Sequence, residues 1–360
     1  MNLKEQIQKI LWITLAWTLV SIYQFFLGWG SVLEVATSEI KYEIWILFRG
    51  SLLTGIIAGL VGGTVLTLVW EKWLRTKPYG WTIRSILISY LIVFIIVSIP
   101  TSVYFNITYL ETNIFDSRLW AAVLRAHLNP TILIPFIFWL TVVLGTMIVF
   151  LVNDKYGPGV FSKFLMGKYF HPSREERIFM FLDLRSSTSI AERLGEERYF
   201  EFLRMVVKIA TEGILKHHGE IYQYVGDEIV ISWPVERGVA HMNCINCFFD
   251  IQKALRVQSD YFQRTFGVLP EFKAGLHYGN VMAGEIGVVK RDIAYSGDVL
   301  NTTARIQSKC NEMGVDLLLS KNLIDRLDTL ANDFRTEELG TIALRGKKEK
   351  MQLCTLVSDR

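Results

Sequence analysis

Gly219-Glu-Ile-Tyr-Gln-Tyr-Val-Gly-Asp-Glu-Ile-Val-Ile-Ser-Trp233 decides the architecture of the C-terminal half of this chain. Two β-prone runs, Gly219–Gln223 and Glu228–Trp233, flank Gly226-Asp227, and a Gly-Asp pair between such runs signals a tight hairpin. The hairpin puts Asp227 at its tip, where it can lie beside Asp183 at the end of another strand, Ile178-Phe-Met-Phe-Leu-Asp-Leu184. Converging carboxylates suit Mg²⁺ or Mn²⁺, which take oxygen ligands and bind through a few carboxylates plus substrate phosphates. Either aspartate alone is equally well a turn former.

Working outward, Ser189–His217 reads as a long amphipathic helix and Val239–Thr265 as another. Glu271–Tyr278 and Asn280–Glu285 read as strands, and Asp298–Met313 as a helix stopped by Gly314. Further strands fall near Asp316–Ser320 and Met351–Val357, with a helix between them. The β-α-β-β-α-β order predicts a ferredoxin-like α/β sandwich with additions over residues 177–358. On the Asp298–Met313 helix, Asn301 and Arg305 are four residues apart and so share a face. Arg is a rigid fork of donors for phosphate oxygens, and Asn can bond a ribose. For an arbitrary pair at this spacing, an exposed surface helix is the default.

The N-terminal half differs in kind. The chain of 360 residues is 51% hydrophobic and 20% charged, with mean hydropathy +0.30. Four apolar runs, Ile10–Gly28, Ser51–Trp70, Ile86–Phe105 and Thr131–Val152, approach the ~20 residues that cross a bilayer. The first is followed by too many further spans to be a cleaved signal peptide. Lys4, Lys9, Lys72, Arg75, Lys77, Arg84, Lys155, Lys163 and Lys168 flank one side; Lys41, Arg49, Arg118 and Arg125, mixed with acidic residues, flank the other. The positive-inside rule then puts both termini in the cytoplasm and makes this a multi-pass protein of the plasma (inner) membrane.

Gly55, Gly59 and Gly63 form a small-residue face suited either to packing within the subunit or to dimer contact. Asn106-Ile-Thr108 matches a glycosylation acceptor, a pattern that also arises by chance. Cys244 and Cys247 lack a second ligand pair and fit a buried core better than zinc. The net charge of +3 says little about function, and no nucleic-acid partner is expected. Residues 153–176, with Gly157-Pro158-Gly159, read as a connector between a membrane domain over 1–152 and a cytoplasmic domain over 177–358.

Taken in order, Phe181-Leu-Asp-Leu-Arg-Ser-Ser-Thr188, Tyr222-Gln-Tyr-Val-Gly-Asp-Glu228, Gly275-Leu-His-Tyr-Gly-Asn280, Ser296-Gly-Asp-Val-Leu-Asn-Thr-Thr-Ala-Arg305 and Leu344-Arg-Gly-Lys347 resemble the class III nucleotidyl cyclases, the catalytic domain of adenylate and guanylate cyclases. The resemblance covers the whole C-terminal half. It implies that Asp183 and Asp227, with the Leu184 carbonyl, hold two Mg²⁺ or Mn²⁺ ions per site. Asn301 would orient the ribose, Arg305 would stabilise charge at the α-phosphate, and Lys347 would hold the terminal phosphates. It also implies a site shared between two domains, hence a homodimer for a chain with one.

The chain departs from the family where the purine is chosen. Typical adenylate cyclases carry Lys three residues before the hairpin Gly and Asp or Thr three before the later Gly; here stand Gln223 and Ala294. The expected function is a membrane-anchored adenylate cyclase making 3′,5′-cyclic AMP from ATP. Guanylate cyclase and a catalytically silent nucleotide-binding membrane receptor are the alternatives. A diguanylate cyclase is disfavoured, because residues 225–228 read Val-Gly-Asp-Glu. The input to the membrane domain, whether lipid, small hydrophobic ligand or partner protein, is left open by the sequence.

Overall fold

In the computed structural model the described residues are 3–33, 40–156, 166–289, 292–327, 334–343 and 350–358. The chain divides into two compact units, Met1–Lys155 and Tyr156–Arg360.

Among its described residues the first unit contains helices and short links but no strand. Helix α1 spans Leu3–Leu33; α2 (Ile40–Val65) runs through a π-helical turn, Leu66–Trp70, into α3 (Glu71–Thr76). Helices α4 (Tyr79–Leu110), α5 (Ser117–Leu128) and α6 (Leu133–Tyr156) follow. Among the described residues four segments are long and apolar enough to cross a membrane: Gln6–Gly28, Ile44–Leu74, Gly80–Leu110 and Pro130–Val152. Each contains one of the four runs read from hydropathy and extends it. Amphipathic α5, which hydropathy alone does not mark, starts where the Asp116 side chain accepts a hydrogen bond from the Arg118 amide.

The glycine face of α2 is used inside the chain. A Cβ on Gly55 would sit 2.6 Å from the Thr18 Cα, and one on Gly59 2.5 Å from the Thr14 Cα, so α1 lies against α2 at backbone distance. Lys9 and Glu71 close one end of this pair with a 2.9 Å ion pair. Asn106 lies within α4, its amide donating to the Ser102 carbonyl and hydroxyl, so the glycosylation triplet is helical rather than a loop.

The second unit is built on an eight-stranded sheet. Its strands are β1 (Ser173–Leu184), β2 (Glu220–Val225), β3 (Glu228–Pro234), β4 (Phe272–Ile286), β5 (Asp292–Ser296), β6 (Leu317–Ser320), β7 (Phe334–Ala343) and β8 (Lys350–Ser358). They lie in the order β2-β3-β1-β4-β6-β8-β7, with β5 paired to β4. β2, β3, β1 and β4 pair antiparallel in that order, giving the expected ferredoxin-like core, and β4 pairs parallel with β6 on its other side. The helices of this unit are α7 (Ser187–Leu194), α8 (Glu196–Lys216), α9 (Val235–Val239), α10 (Asn243–Val257), α11 (Ser259–Phe266), α12 (Asp298–Ser308), α13 (Cys310–Met313) and α14 (Lys321–Ile324).

Strand β1 is apolar on both faces because both are covered. Ile178, Met180, Leu182 and Leu184 join the main core with Phe202, Val206 and Ile214 of α8 and Ile245, Phe248 and Ile251 of α10. Phe179 and Phe181 face the other way, against Val299, Leu300 and Ala304 of α12. All four cysteines are free and buried, and burial pushes the thiols of Cys244 and Cys310 up to about 12.

Several boundaries differ from the sequence reading for identifiable reasons. β1 begins at Ser173, within the segment read as connector, because Ser173–Glu176 pair with β4. β4 is one strand of 15 residues rather than two. The single helix expected over Ser189–His217 is two, broken at Gly195 with φ +74°. The expected helix over Val239–Thr265 is likewise split, at Gln258. Gly314 ends the α12–α13 region at φ +68°, as read. Gly157-Pro158-Gly159 lies outside the described residues.

Candidate active site

β1 delivers Asp183 to the same sheet face as Phe179 and Phe181, one residue before the strand ends. The neighbouring β2–β3 hairpin pairs Val225 with Glu228 across the two-residue turn Gly226-Asp227. Gly226 adopts φ +64°, which a side chain would strain. Since Leu182 pairs with Ile229, the hairpin tip falls beside the end of β1.

The electrostatics report the convergence. The Glu228 carboxyl is pushed up to about 7, first by burial and then by the charges of Asp183 and Asp227. The Tyr199 hydroxyl, on α8, is also raised, by burial and then by Asp227 and Asp183. A buried Oδ2 of Asp227 has no hydrogen-bond partner among the described residues. A carboxylate oxygen in that state is costly unless a cation satisfies it.

Asp183 is held on two sides: its Oδ2 accepts from Gln307 Nε2 at 2.9 Å and lies 3.0 Å from Lys273 Nζ. Leu184 points its side chain into the core, so only its backbone carbonyl is placed to serve as a ligand. Among the described residues no three His, Cys, Asp or Glu side chains gather into a self-sufficient metal cage. This donor set, two carboxylates and a carbonyl, fits a hard divalent ion that completes its shell with substrate oxygens and water. Just beyond Leu184, α7 starts with no side-chain cap hydrogen bond at Ser186, so its first-turn N–H groups are available to an anion.

Asn301 and Arg305 stand elsewhere. α12 turns Val299, Thr302, Thr303, Ile306 and Gln307 inward, leaving Asn301 exposed and Arg305 half-buried. Among the described residues neither side chain has a hydrogen bond or ion pair to the aspartates. α12 approaches β4 very closely, since a Cβ on Gly275 would come within 2.4 Å of the Gln307 amide nitrogen. One chain therefore brings the carboxylates together but not the Asn–Arg pair with them.

Gln223 is exposed on β2, just past an irregularity in its pairing with β3, and Ala294 is half-buried opposite Gly284 on β5. The residues beside them, Tyr222 and Tyr295, meet edge to face with ring centroids 5.0 Å apart. Arg177, fully buried, lies 4.7 Å from the Tyr295 ring, donates to Ser232 at 3.0 Å and pairs with Glu175 and Glu220. Lys347 lies outside the described residues. Lys273, Gln307, Glu228 and Arg177 are site or support residues that the sequence reading did not single out. The signal for Lys273 is a charge inside an apolar strand, and for Gln307 a polar residue on the buried stripe of α12; Arg177, last of the charged run Arg174–Arg177, carries no such signal.

A ferredoxin-like sheet with paired carboxylates at the end of β1 and at the adjoining hairpin, and an Asn–Arg helix packed on its face, defines a nucleotidyl cyclase domain. Residues 171–357 match the model of the adenylate and guanylate cyclase catalytic domain, and the chain belongs to that family. It is 39% identical over 207 residues to Adenylate cyclase 2 of Rhizobium meliloti (strain 1021), covering 58% of this chain and 57% of that one. It is 26% identical over 190 residues to Adenylate cyclase 1 of the same organism, covering 51% and 28%. The match thus spans less than two thirds of either relative. Among solved structures, a bacterial light-regulated adenylyl cyclase has the same fold, with TM-score 0.52 and 22% identity over 63% of this chain and 65% of that one.

Proposed function

We propose that the chain is a membrane-anchored adenylate cyclase that converts ATP to 3′,5′-cyclic AMP and pyrophosphate in a homodimer. The observation that carries this reading is the division of the site. Asp183 and Asp227 converge around an unpaired buried oxygen, while Asn301 and Arg305 of the same chain make no hydrogen bond or ion pair with them among the described residues. A second copy would supply the missing half. The surface beside the site supports this, because Tyr224 and Val225 on edge strand β2 and Met282, Ile286, Val288 and Val289 on the β4–β5 ribbon are exposed.

In this reading Asp183, Asp227 and the Leu184 carbonyl hold two Mg²⁺ or Mn²⁺ ions. Bound there, such ions favour ionisation of the ribose 3′-hydroxyl and neutralise the triphosphate. Lys273 and Gln307 fix the Asp183 carboxylate. Asn301 of one copy orients the ribose so that O3′ lines up with the α-phosphorus bound on the other. O3′ forms the new bond to phosphorus, its proton leaves to solvent, and pyrophosphate departs with the electron pair of the broken P–O bond. Arg305 stabilises the charge that develops on the α-phosphate oxygens. Lys347 and the N-terminus of α7 receive the terminal phosphates.

The Gln223 amide can donate to adenine N1, with a backbone group or Ser296 serving where Ala294 offers no side-chain bond. The apolar helices anchor the chain in the inner membrane with both termini in the cytoplasm, as the Lys and Arg asymmetry supports. The test is turnover by the purified full-length protein with ATP and GTP in parallel, each with Mg²⁺ and Mn²⁺. Cyclic AMP formation lost in Asp227→Ala is expected. Cyclic GMP instead would overturn the base assignment, and no product under any condition would favour a silent nucleotide-binding receptor.

A further inference from the structure

The half of the helical unit remote from the end of α6 contains a partly open cavity of about 720 Å³ between α1, α2, α4, α5 and α6. That volume lies in the range of small-molecule sites, roughly 300–1,000 Å³. It is elongated: along α1 its wall runs from Trp17 to Gly28, about 16 Å of helix rise. Among the described residues no Lys, Arg, Asp or Glu lines it. An ionised guest would find no counter-charge among them in a low-dielectric surround, which is strongly unfavourable.

The two ends of the cavity differ in chemistry. At the floor, Trp17 and Trp139 meet with ring centroids 5.8 Å apart. Two polar groups there are engaged: Trp17 Nε1 donates to Thr146 Oγ1 at 3.1 Å, and the Tyr90 hydroxyl donates to the Phe136 carbonyl at 2.7 Å. Mostly aromatic ring surface is left for a guest, with the Trp139 indole N–H beside it. Toward the other end, His127 Nδ1 lies 2.8 Å from the Val123 carbonyl, which can only accept, so Nδ1 carries the proton. Its Nε2 then presents a lone pair, 3.0 Å from Ser98 Oγ.

Asn106 spends its amide hydrogens on Ser102, and its Oδ1 accepts no hydrogen bond among the described residues. The Gln24 amide makes none among them either. Free amide groups in a largely apolar cavity are unfavourable until something polar meets them. A second cavity, of about 680 Å³, shares Phe94, His127 and Ile132 with the first. Its other walls include exposed Ile95, Leu124 and Leu133, so it opens outward beside His127.

We propose that the helical unit binds a neutral amphiphile in the larger cavity, its apolar body on the Trp17–Trp139 floor and a hydroxyl, carbonyl or amide group among Gln24, Ser98, Asn106 and His127. An acyl chain from a bilayer lipid would fill the same space but leave the Gln24 amide and Asn106 Oδ1 unmet.

The test uses the full-length protein in phosphatidylcholine nanodiscs and a photoreactive diazirine analogue of dodecan-1-ol, beside the matching carboxylate and alkane. The alcohol is expected to label peptides containing Phe94 and Trp139, to be displaced by unlabelled dodecan-1-ol, and to exceed both counterparts by about fivefold or more, the worth of one net hydrogen bond. Gln24→Leu with Asn106→Leu should remove that preference while leaving alkane labelling intact, which also reports that the unit is folded. Val97→Trp should lower labelling by all three probes. Equal labelling by the three in the unaltered protein would mean a lipid-tail slot and overturn the proposal. So would alcohol labelling confined to outward-facing Ile88 and Ile92.

Discussion

Gln307 reaches from α12 to Asp183 at the end of β1, a 2.9 Å hydrogen bond between the helix that bears Asn301 and Arg305 and the carboxylate at the opposite side of the proposed chemistry. Lys273 contacts the same oxygen from the paired strand. The bond orients one lone-pair direction of Asp183 and leaves Oδ1 to the proposed metal. Gln307→Leu is expected to raise the Mn²⁺ concentration for half-maximal activity by about 10- to 100-fold, as losing a group that orients a metal ligand does. An Mn²⁺ titration at saturating ATP reads this, and an unchanged midpoint would reduce the bond to a packing role.

The seat of α12 depends on a missing side chain. A Cβ on Gly275 would meet the Gln307 backbone at 2.4 Å and 2.7 Å, and helix backbone cannot swing aside as a flexible side chain does. Gly275→Ala is expected to cost about 1–3 kcal/mol of stability by overpacking. Because α12 must move to admit the methyl, activity at a temperature well below the melting point should fall further than the folded fraction does. Thermal melting and cyclase assay on the same sample separate the two.

Glu228 gives the metal-free protein a pH signature. Its folded-state pKa is raised from 4.5 to about 7, so between those values the folded state holds a proton that the unfolded chain has released. The contribution is therefore fully present below about 4.5 and is lost as pH rises toward and through 7. With chelator present, the cyclase unit should melt at a lower temperature at pH 8 than at pH 5.5. Glu228→Gln should flatten that difference. Equal slopes in the two proteins would remove Glu228 as its source.

In the helical unit, Gly59 is expected to be intolerant of bulk, because α1 backbone lies where its side chain would grow. Gly59→Leu should lower the yield of monodisperse protein in detergent and the melting temperature of the membrane unit, an overpacking cost of about 1–3 kcal/mol or more. Gly145, with open space around its would-be Cβ, serves as the control, and Gly145→Ala should behave like the unaltered chain.

Much of this molecule was legible in its sequence where one dimension suffices. Hydropathy locates four helices because lipid demands long apolar runs. Gly226-Asp227 between two apolar strands reads as a hairpin because so few residues tolerate its turn. What stayed hidden depends on contacts across the fold. Gly279 looks like a strand breaker, yet β4 runs through it, and its bare Cα faces Val299, which a Cβ would meet at 3.3 Å. β7, Phe334–Ala343, alternates weakly because it is an edge strand paired only to β8. Whether the α2 glycines serve the subunit or a dimer could not be read from spacing; the contact with Thr14 and Thr18 shows packing within the chain. Lys273 and Gln307 become partners of Asp183 only once register and helix docking are known.

The most direct test of a cyclase site assembled from two chains is cyclic AMP production by Asp183→Ala and Asn301→Ala, alone and co-expressed. Each variant alone should be inactive, since every homodimer site lacks one essential group. Co-expression should restore about a quarter of the unaltered activity, because half of the dimers are mixed and each mixed dimer has one intact site of two. Co-expressed activity no greater than that of either variant alone would contradict the shared site.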